Sequence, residues 1–484
     1  MLPSCEHSCH QCPKRICLEE TNKNLCLHSS CRWFLLVLIL VLLPQIFLDF
    51  KYFVISNVSL ASLLSDSPQH AITPETPTQG SSPDKNETCP LGRVYVYDLP
   101  PVFNNELLHN CSSLEPWSTR YCDAVLNGGF GQRAIELIGV VPERQAPAWY
   151  WTDQFMSEVI FHNKVQNYAC RTLEPESATA FYIPFYAGLA VGRYLFGNHS
   201  SEERDRDCEM LLRWVQDQQY WKRSNGSDHF ITLGRIAWDF HRYGPFGWGS
   251  GFINMAGMRN IIRLVIERSP WDPLEIGVPY PTGFHPRSNA DILEWQRHVR
   301  THRRTSLFCF VGGTRGAFKD DFRGRLLSYC KNESDSCRAV DCAKSRCHHG
   351  SSDILETFLA SDFCLQPRGD SYTRRSMFDC MVAGSIPVLF WEQTAYDKYQ
   401  GFLPEEHTSY SVFIDYKSLK NGTSIRKVLE RFSSEEVRKM REKVVDLIPK
   451  IVYAKPQQGS EYIKDASDVA IEIVLRRLKK QGAD

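Results

Sequence analysis

Residues Phe363 to Phe390 read FCLQPRGDSYTRRSMFDCMVAGSIPVLF, and the rest of the chain is organised around them. A buried run ends at Leu365, a polar turn follows, and then come a short amphipathic helix and a second buried strand. Asp370 or Ser371 is placed to N-cap the helix. Met377, Phe378, Met381 and Val382 share one face at helical spacing. Gly384 stands where a helix-terminating glycine belongs, and Ile386-Pro387-Val388-Leu389-Phe390 opens the next strand. Strand, glycine-bearing turn, helix, strand is the repeating unit of an α/β fold.

The charges in this unit are out of place. Arg368 precedes the helix, and Arg374 and Arg375 fall in its first turn, where the positive end of the helix dipole disfavours cations. Such local conflicts concentrate at functional sites. A bound di-anion resolves this one, because a helix N-terminus already offers free N–H groups to phosphate. Asp379 lies about 130° around the helix from the centre of the apolar face, at ~100° per residue. A carboxylate there suits sugar hydroxyls, so the unit reads as a nucleotide-sugar pocket. The plainer alternative is an ordinary i, i+4 pair between Arg375 and Asp379, worth ~0.2–0.5 kcal/mol.

The chain has 484 residues with a formal net charge of zero, which argues against nucleic acid as the main partner. Its length implies more than one domain. The 11 Trp and 20 Tyr suit carbohydrate stacking and an ordinary core equally well.

The leader, residues 1–32, is polar, with Cys5, Cys9, Cys12, Cys17, Cys26 and Cys31 and a positive balance; it reads as a cytosolic tail. Residues 33–55 reach spanning length despite Asp49 and Lys51, and no small-residue cleavage pattern follows. With positive charge on the N-terminal side, this is expected to be a type II signal anchor, the bulk of the chain being lumenal. Residues 56–88 are rich in Ser, Pro and Thr and read as a flexible stem. All seven N-x-S/T acceptors, at Asn57, Asn86, Asn110, Asn198, Asn225, Asn332 and Asn421, follow the anchor, as do twelve cysteines. Cys330, Cys337, Cys342 and Cys347 crowd one loop beside His348 and His349; a disulfide-stapled loop is favoured over zinc.

From Cys89 onward strands alternate with helices. Strands are expected at Arg93–Asp98, Ala180–Pro184, His229–Leu233 and Leu307–Val311, and helices at Gln154–Tyr168, Glu202–Gln219, Arg259–Glu267, Arg323–Cys330, Ser424–Val445 and Glu461–Lys480. The Pro- and Gly-rich segment Pro270 to Pro286 divides an acceptor-side α/β domain, residues 89–285, from a nucleotide-sugar-binding α/β domain, residues 286–455; residues 456–484 add a C-terminal helix. Gly312-Gly313 ends a strand where open α/β sheets bind ligands.

Val94-Tyr95-Val96-Tyr97-Asp98-Leu99-Pro100 resembles the opening motif of the exostosin-like glycosyltransferases. Asp228-His229-Phe230 with Gly234 to Phe240, Ser269-Pro270-Trp271-Asp272, Pro279 to Pro286 and the whole Phe363–Phe390 unit are similar to the plant xyloglucan galactosyltransferase branch. The likeness runs from about Arg93 to Asp415. It implies a GT-B fold, two Rossmann-like domains facing a cleft, in an inverting Golgi type II enzyme that moves galactose from UDP-galactose onto a xylosyl side chain of xyloglucan. Arg368, Gly369, Ser371, Thr373 and Arg375 match the diphosphate loop, with Arg374 beside them, and Asp379 matches the ribose-holding acid.

Inversion requires a base for the acceptor hydroxyl proton. Asp239 is the first choice, followed by Asp228, His229 and His241; the alternative for Asp239 is an ion pair with Arg235 or Arg242. Arginines and a helix N-terminus serve the departing UDP without a metal or other cofactor. The one Asp-x-Asp pattern, Asp205-Arg206-Asp207, follows no apolar strand and reads as a solvated helix face. Two competing readings stand beside galactosyl transfer: transfer of galacturonic acid or arabinose to a wall polysaccharide, and a non-catalytic Golgi scaffold for other glycosyltransferases.

Overall fold

A computed structural model describes residues 89–114, 121–315, 321–345, 347, 352–455 and 462–481. The expected tail, anchor and stem, with Asn57, Asn86, His348 and His349, lie outside these residues. Among the described residues no helix is long and apolar enough to cross a membrane.

Two all-parallel sheets form the frame. The first contains β1 (Val94–Val96), β2 (Arg171–Thr172), β3 (Ala180–Ile183), β4 (His229–Leu233), β5 (Ile262–Val265) and β6 (Glu275–Gly277), in the spatial order β2-β1-β3-β4-β5-β6. The second contains β7 (Ser306–Gly312), β8 (Cys337–Asp341), β9 (Ser361–Gln366), β10 (Ile386–Leu389) and β11 (Val412–Phe413), in the order β8-β7-β9-β10-β11. The central strands are buried on both faces, which is why they read as unbroken apolar runs rather than alternating ones. Parallel neighbours need crossovers. These include α1 (Ser157–Gln166), α2 (Ala187–Gly192) and α3 (Ser201–Gln216) in the first half. The second half has α4 (Asn289–Thr301), α5 (Phe322–Asn332), α6 (Ser352–Leu359), α7 (Arg375–Val382) and α8 (Ser434–Ile451). The last helix, α9 (Ala466–Gln481), returns to the first half, where Arg477 donates to the Pro273 carbonyl at 2.6 Å and Lys479 to that of Pro90.

Two sequence readings need correction. Arg259–Glu267, expected as helix, contains β5: Ile261, Ile262, Leu264, Val265 and Ile266 are all buried, as befits an interior parallel strand rich in β-branched residues. The Pro- and Gly-rich segment 270–286, read as the boundary between domains, carries edge strand β6 of the first sheet. The helix expected over Ser424–Val445 is two, Ile425–Leu429 and α8, the second begun by a Ser433–Glu436 capping box.

In each sheet the chain leaves the first strand to one side and returns on the other, so the strand order reverses between β1 and β3 and between β7 and β9. The crevice outside the carboxyl ends of strands at such a reversal is where open α/β sheets hold ligands.

Among the described residues five disulfides join Cys89–Cys170, Cys111–Cys122, Cys330–Cys337, Cys342–Cys347 and Cys364–Cys380. The cysteine-rich loop is thus stapled twice, while Cys208 and Cys309 are buried thiols. Asn110, Asn198, Asn225, Asn332 and Asn421 are all exposed.

Candidate active site

Helix α7 starts later than the sequence suggested. Its N-cap is Arg374, with extended backbone and no capping side chain, and Arg375 is the first helical residue. Asp370 and Ser371 are drawn elsewhere, Asp370 into an ion pair with Arg315 and Ser371 against Glu267. Thr373 is buried and donates to the Thr394 carbonyl at 2.6 Å, which fixes the turn before the helix. The apolar face is as read: Met377, Phe378, Met381 and Val382 are all buried. Gly384 ends the unit at φ +69, where an added Cβ would lie 2.1 Å from Val299.

At the β7/β9 reversal the loops after both strands bring arginines together. Gly312 and Gly313 close β7, and Arg315 follows; Arg323 projects from the first turn of α5. Arg368, Arg374 and Arg375 come from the loop after β9. Arg374 Nη2 donates to the Val311 carbonyl at 2.9 Å, and a Cβ on Gly312 would stand 3.2 Å from that nitrogen. Arg323 Nε donates to the Arg368 carbonyl at 3.2 Å, and the Arg368 guanidinium lies over Trp391, which stacks on Tyr416. Gly369 is close-packed under the Arg374 stem, its Cβ position 3.0 Å from Cγ.

The electrostatics record the crowding. Burial, with Arg323 and Arg315 beside it, pushes the Arg374 guanidinium down to about 9. Burial and Arg315 push Arg323 down to about 10, and burial and Arg368 lower Arg315. Asp321, Asp370 and Asp379 answer these five cations among the described residues, and Asp321 is already spent capping α5 and the Arg315 N–H. Arg374 Nη1 is buried without a hydrogen-bond acceptor. A buried, unsatisfied cationic donor beside a helix N-terminus is chemically suited to an anion.

The expected pair of Arg375 and Asp379 exists, with Nε 3.1 Å from Oδ2. Arg375 does more than pair. Its Nη1 reaches across to the Thr152 carbonyl in the first half, so the first residue of α7 is hooked to the loop before α1. Burial raises the Asp379 carboxyl despite Arg375 beside it.

That loop carries a residue the sequence reading missed, Asp153. Its Oδ1 accepts from the Phe155 N–H at 2.8 Å, it is half-buried, and it lies within electrostatic reach of Arg375 and Arg235. Burial raises its carboxyl above the usual range. Thr152 is locked beneath it, with Oγ1 2.8 Å from the Phe130 carbonyl and 2.7 Å from His285 Nε2. His285 in turn donates from Nδ1 to the Tyr453 carbonyl at 2.6 Å. Nothing local in Trp151-Thr152-Asp153-Gln154 marks the aspartate, because its cationic neighbours are more than 80 positions away.

The acids and bases expected from sequence are placed otherwise. Asp239 takes its alternative: Arg235 Nε donates to Oδ2 and Trp248 Nε1 to Oδ1, each at 2.7 Å, which engages both oxygens. His229 is fully buried at the amino end of β4, its Nδ1 2.7 Å from Asp228 and its Nε2 2.8 Å from the Tyr97 hydroxyl, so neither nitrogen is free to meet substrate. Asp228 also binds Ser224 and Arg223. His241 is a partly exposed neighbour of Glu275, 3.8 Å away. Asp205 is not on a solvated face: it holds Ser250 Oγ at 2.7 Å and the Gly251 N–H at 2.8 Å, and it pairs with Arg242. Asp207 pairs with Arg193.

The chain is thus a parallel α/β protein with arginines gathered at a strand-order reversal. Residues 88–429 match the family model described as the exostosin GT47 domain, and the chain belongs to that glycosyltransferase family. It is 60% identical over 397 residues to xyloglucan galactosyltransferase XLT2 of Arabidopsis thaliana, covering 82% of this chain and 77% of that one. It is 39% identical to xyloglucan galactosyltransferase MUR3, covering 82% and 64%, and 35% identical to xyloglucan-specific galacturonosyltransferase 1, covering 83% and 60%, both also from Arabidopsis thaliana.

Proposed function

We propose that the protein transfers galactose from UDP-galactose to a xylosyl side chain of xyloglucan, with inversion, in cell-wall polysaccharide synthesis. The observation that carries the donor site is the buried, unpartnered Arg374 Nη1 among crowded arginines at the β7/β9 reversal. The similarity to xyloglucan galactosyltransferases supports the sugar and the acceptor.

In this reading the diphosphate takes Arg374, Arg375 and the α7 N-terminus as partners, with Arg368, Arg323 and Arg315 around it and Gly312, Gly313, Gly369, Ser371 and Thr373 shaping the cradle. Asp379 holds the ribose. The acceptor oxygen attacks C1 of the donor sugar, its proton passes to a carboxylate, and the bond from C1 to the UDP oxygen breaks with its electron pair going to UDP. Asp153 is the carboxylate we assign as base. It stands on the first half facing the donor loop, burial raises its affinity for protons, and its second oxygen faces no bonded partner among the described residues. Asp239 then positions Arg235 and Trp248. The charge that builds on UDP meets fixed cations, so no metal is assigned.

A GT-B arrangement of the two halves fits this chemistry and is supported by the return of α9 to the first half. The type II signal anchor, the stem, the lumenal Golgi location with its membrane and neighbouring glycosyltransferases, and carbohydrate on the seven sequons complete the proposal; the five disulfides suit an oxidising compartment. The second reading, transfer of galacturonic acid, is favoured by the galacturonosyltransferase relative.

The test uses the protein from about Thr88 onward, made in a secretory host and incubated with xyloglucan oligosaccharide and a panel of UDP-sugars. Addition of a hexose from UDP-galactose alone is expected. A uronic acid or pentose product overturns the donor, and UDP binding without any transfer overturns the acceptor or favours the scaffold.

A further inference from the structure

The loop between Phe240 and Ser250 turns its one arginine inward. It is closed at its base by Ser250 N–H to the Asp239 carbonyl at 2.8 Å and Arg242 N–H to the Ser250 carbonyl at 3.0 Å. Arg242 is buried inside it: Nε donates to the Gly249 carbonyl at 3.0 Å, Nη1 to that of Gly244, and Nη2 pairs with Asp205. Asp205 also grips Ser250 and Gly251, so the Asp-x-Asp pattern serves as a clamp on this loop. Gly249 makes the closure possible, at φ +75 with its Cβ position 2.4 Å from the Asp239 carbonyl.

What the clamped loop turns outward is aromatic. Tyr243 is 77% and Phe246 86% exposed, and Trp238 at its root is 69% exposed. Trp248 packs edge-on against Phe196, 5.0 Å between ring centroids. The tip, Tyr243 to Trp248, carries no charged side chain. Large rings held in water by a rigid, internally satisfied loop mark a binding surface. The loop springs from the carboxyl end of β4, and Trp248 Nε1 bonds Asp239 Oδ1 at 2.7 Å, while Arg235, the other partner of Asp239, lies within electrostatic reach of Asp153.

We infer that this loop is an acceptor platform on which Tyr243 and Phe246, with Trp238, stack against the pyranose rings of the glucan backbone beyond the sugar that is modified. A neutral chain with apolar C–H ring faces and hydroxyl edges matches an uncharged aromatic tip. The inference rests on the transferase reading and extends it from the reacting sugar to the polymer.

Tyr243→Ala, Phe246→Ala and the double variant test it in the whole lumenal protein. The rings are exposed, so the melting temperature is expected to hold. The double variant is expected to raise KM for polymeric xyloglucan by about tenfold, with UDP affinity unchanged. Phe246→Trp is expected to restore the parent KM. An unchanged KM in the double variant overturns the platform while leaving the transferase reading intact. If the parent transfers no sugar at all, it is the transferase reading that fails. The platform is then judged by retardation in gels containing xyloglucan: loss in the double variant supports it, and equal retardation overturns it. Binding to neutral phosphatidylcholine vesicles that disappears in the double variant, with retardation unchanged, overturns it in favour of a membrane contact.

Discussion

Replacing Arg374 by Met is expected to stabilise the empty protein while weakening its hold on UDP. Burial beside Arg323 and Arg315 pushes the guanidinium down to about 9, far below its ordinary value. Each unit of displacement is ~1.4 kcal/mol, so the upper limit on the unfavourable charge energy is roughly 4–5 kcal/mol. Solvent relaxation and Asp379 reduce this, and Met forfeits the bond to the Val311 carbonyl and the contact over Phe310, together worth about 1–2 kcal/mol. A net gain of about 2 kcal/mol is expected, seen as a rise of roughly 2–4 °C in the melting temperature of a domain this size. The variant also removes at least one charge-assisted bond to phosphate, worth about 1.5–3 kcal/mol, or roughly 10- to 150-fold in Kd. Ligand linkage then reverses the order. At a UDP concentration about 1,000 times the parent Kd the parent gains ~4.1 kcal/mol, while a variant binding 100-fold more weakly gains only ~1.4. Thermal melts with and without UDP, with calorimetric Kd values, measure both quantities. A variant that melts below the parent without UDP, or binds UDP as tightly, refutes the idea that these arginines are held in charge conflict for an anion.

Asp153→Asn is expected to lower kcat by about 10²–10⁴ while UDP affinity holds. Because burial raises this carboxyl and the base must be ionised to act, the parent's kcat/KM should fall on the acid side at a pH above that of an ordinary aspartate; the same limb in Asp153→Asn speaks against the assignment. Asp379→Ala should weaken UDP binding at least tenfold, since it removes both the ribose acceptor and the partner that aims Arg375 at Thr152. Activity should persist in EDTA; complete loss restored by manganese would contradict an arginine-only donor site. Gly249→Ala should cost about 1–3 kcal/mol, because no side chain fits at φ +75 against the Asp239 carbonyl, and acceptor KM should rise with it.

The frame was legible wherever buried strands make unbroken apolar runs, as at His229–Leu233 and Leu307–Val311. Ile262–Val265 was misread because a four-residue buried strand inside a longer apolar stretch has no period to separate it from a helix. The arginine-rich turn was legible through its misplaced charges, since the conflict between arginines and a helix N-terminus is written in adjacent residues. The start of α7 was not, because Asp370 and Ser371 are drawn to Arg315 and Glu267, partners that spacing does not reveal. The same holds for the carboxylates: Asp239 is engaged by Arg235 and Trp248, and Asp153 stands out only because Arg375, 222 positions later, folds against its loop.

The Cys364–Cys380 bridge ties the middle of β9 to the middle of α7, and between its two ends lie Arg368, Arg374, Arg375 and Asp379. Every side chain assigned to the nucleotide on this unit therefore sits on a covalently closed ring. In a thiol-reducing compartment that ring opens, and a segment with five charged residues is left to its hydrogen bonds, ion pairs and packing. On the lumenal reading proposed above, a copy held in a reducing compartment would lack this closure of the donor loop as well as the acceptor. Formation of the one bridge then becomes a condition for sugar transfer.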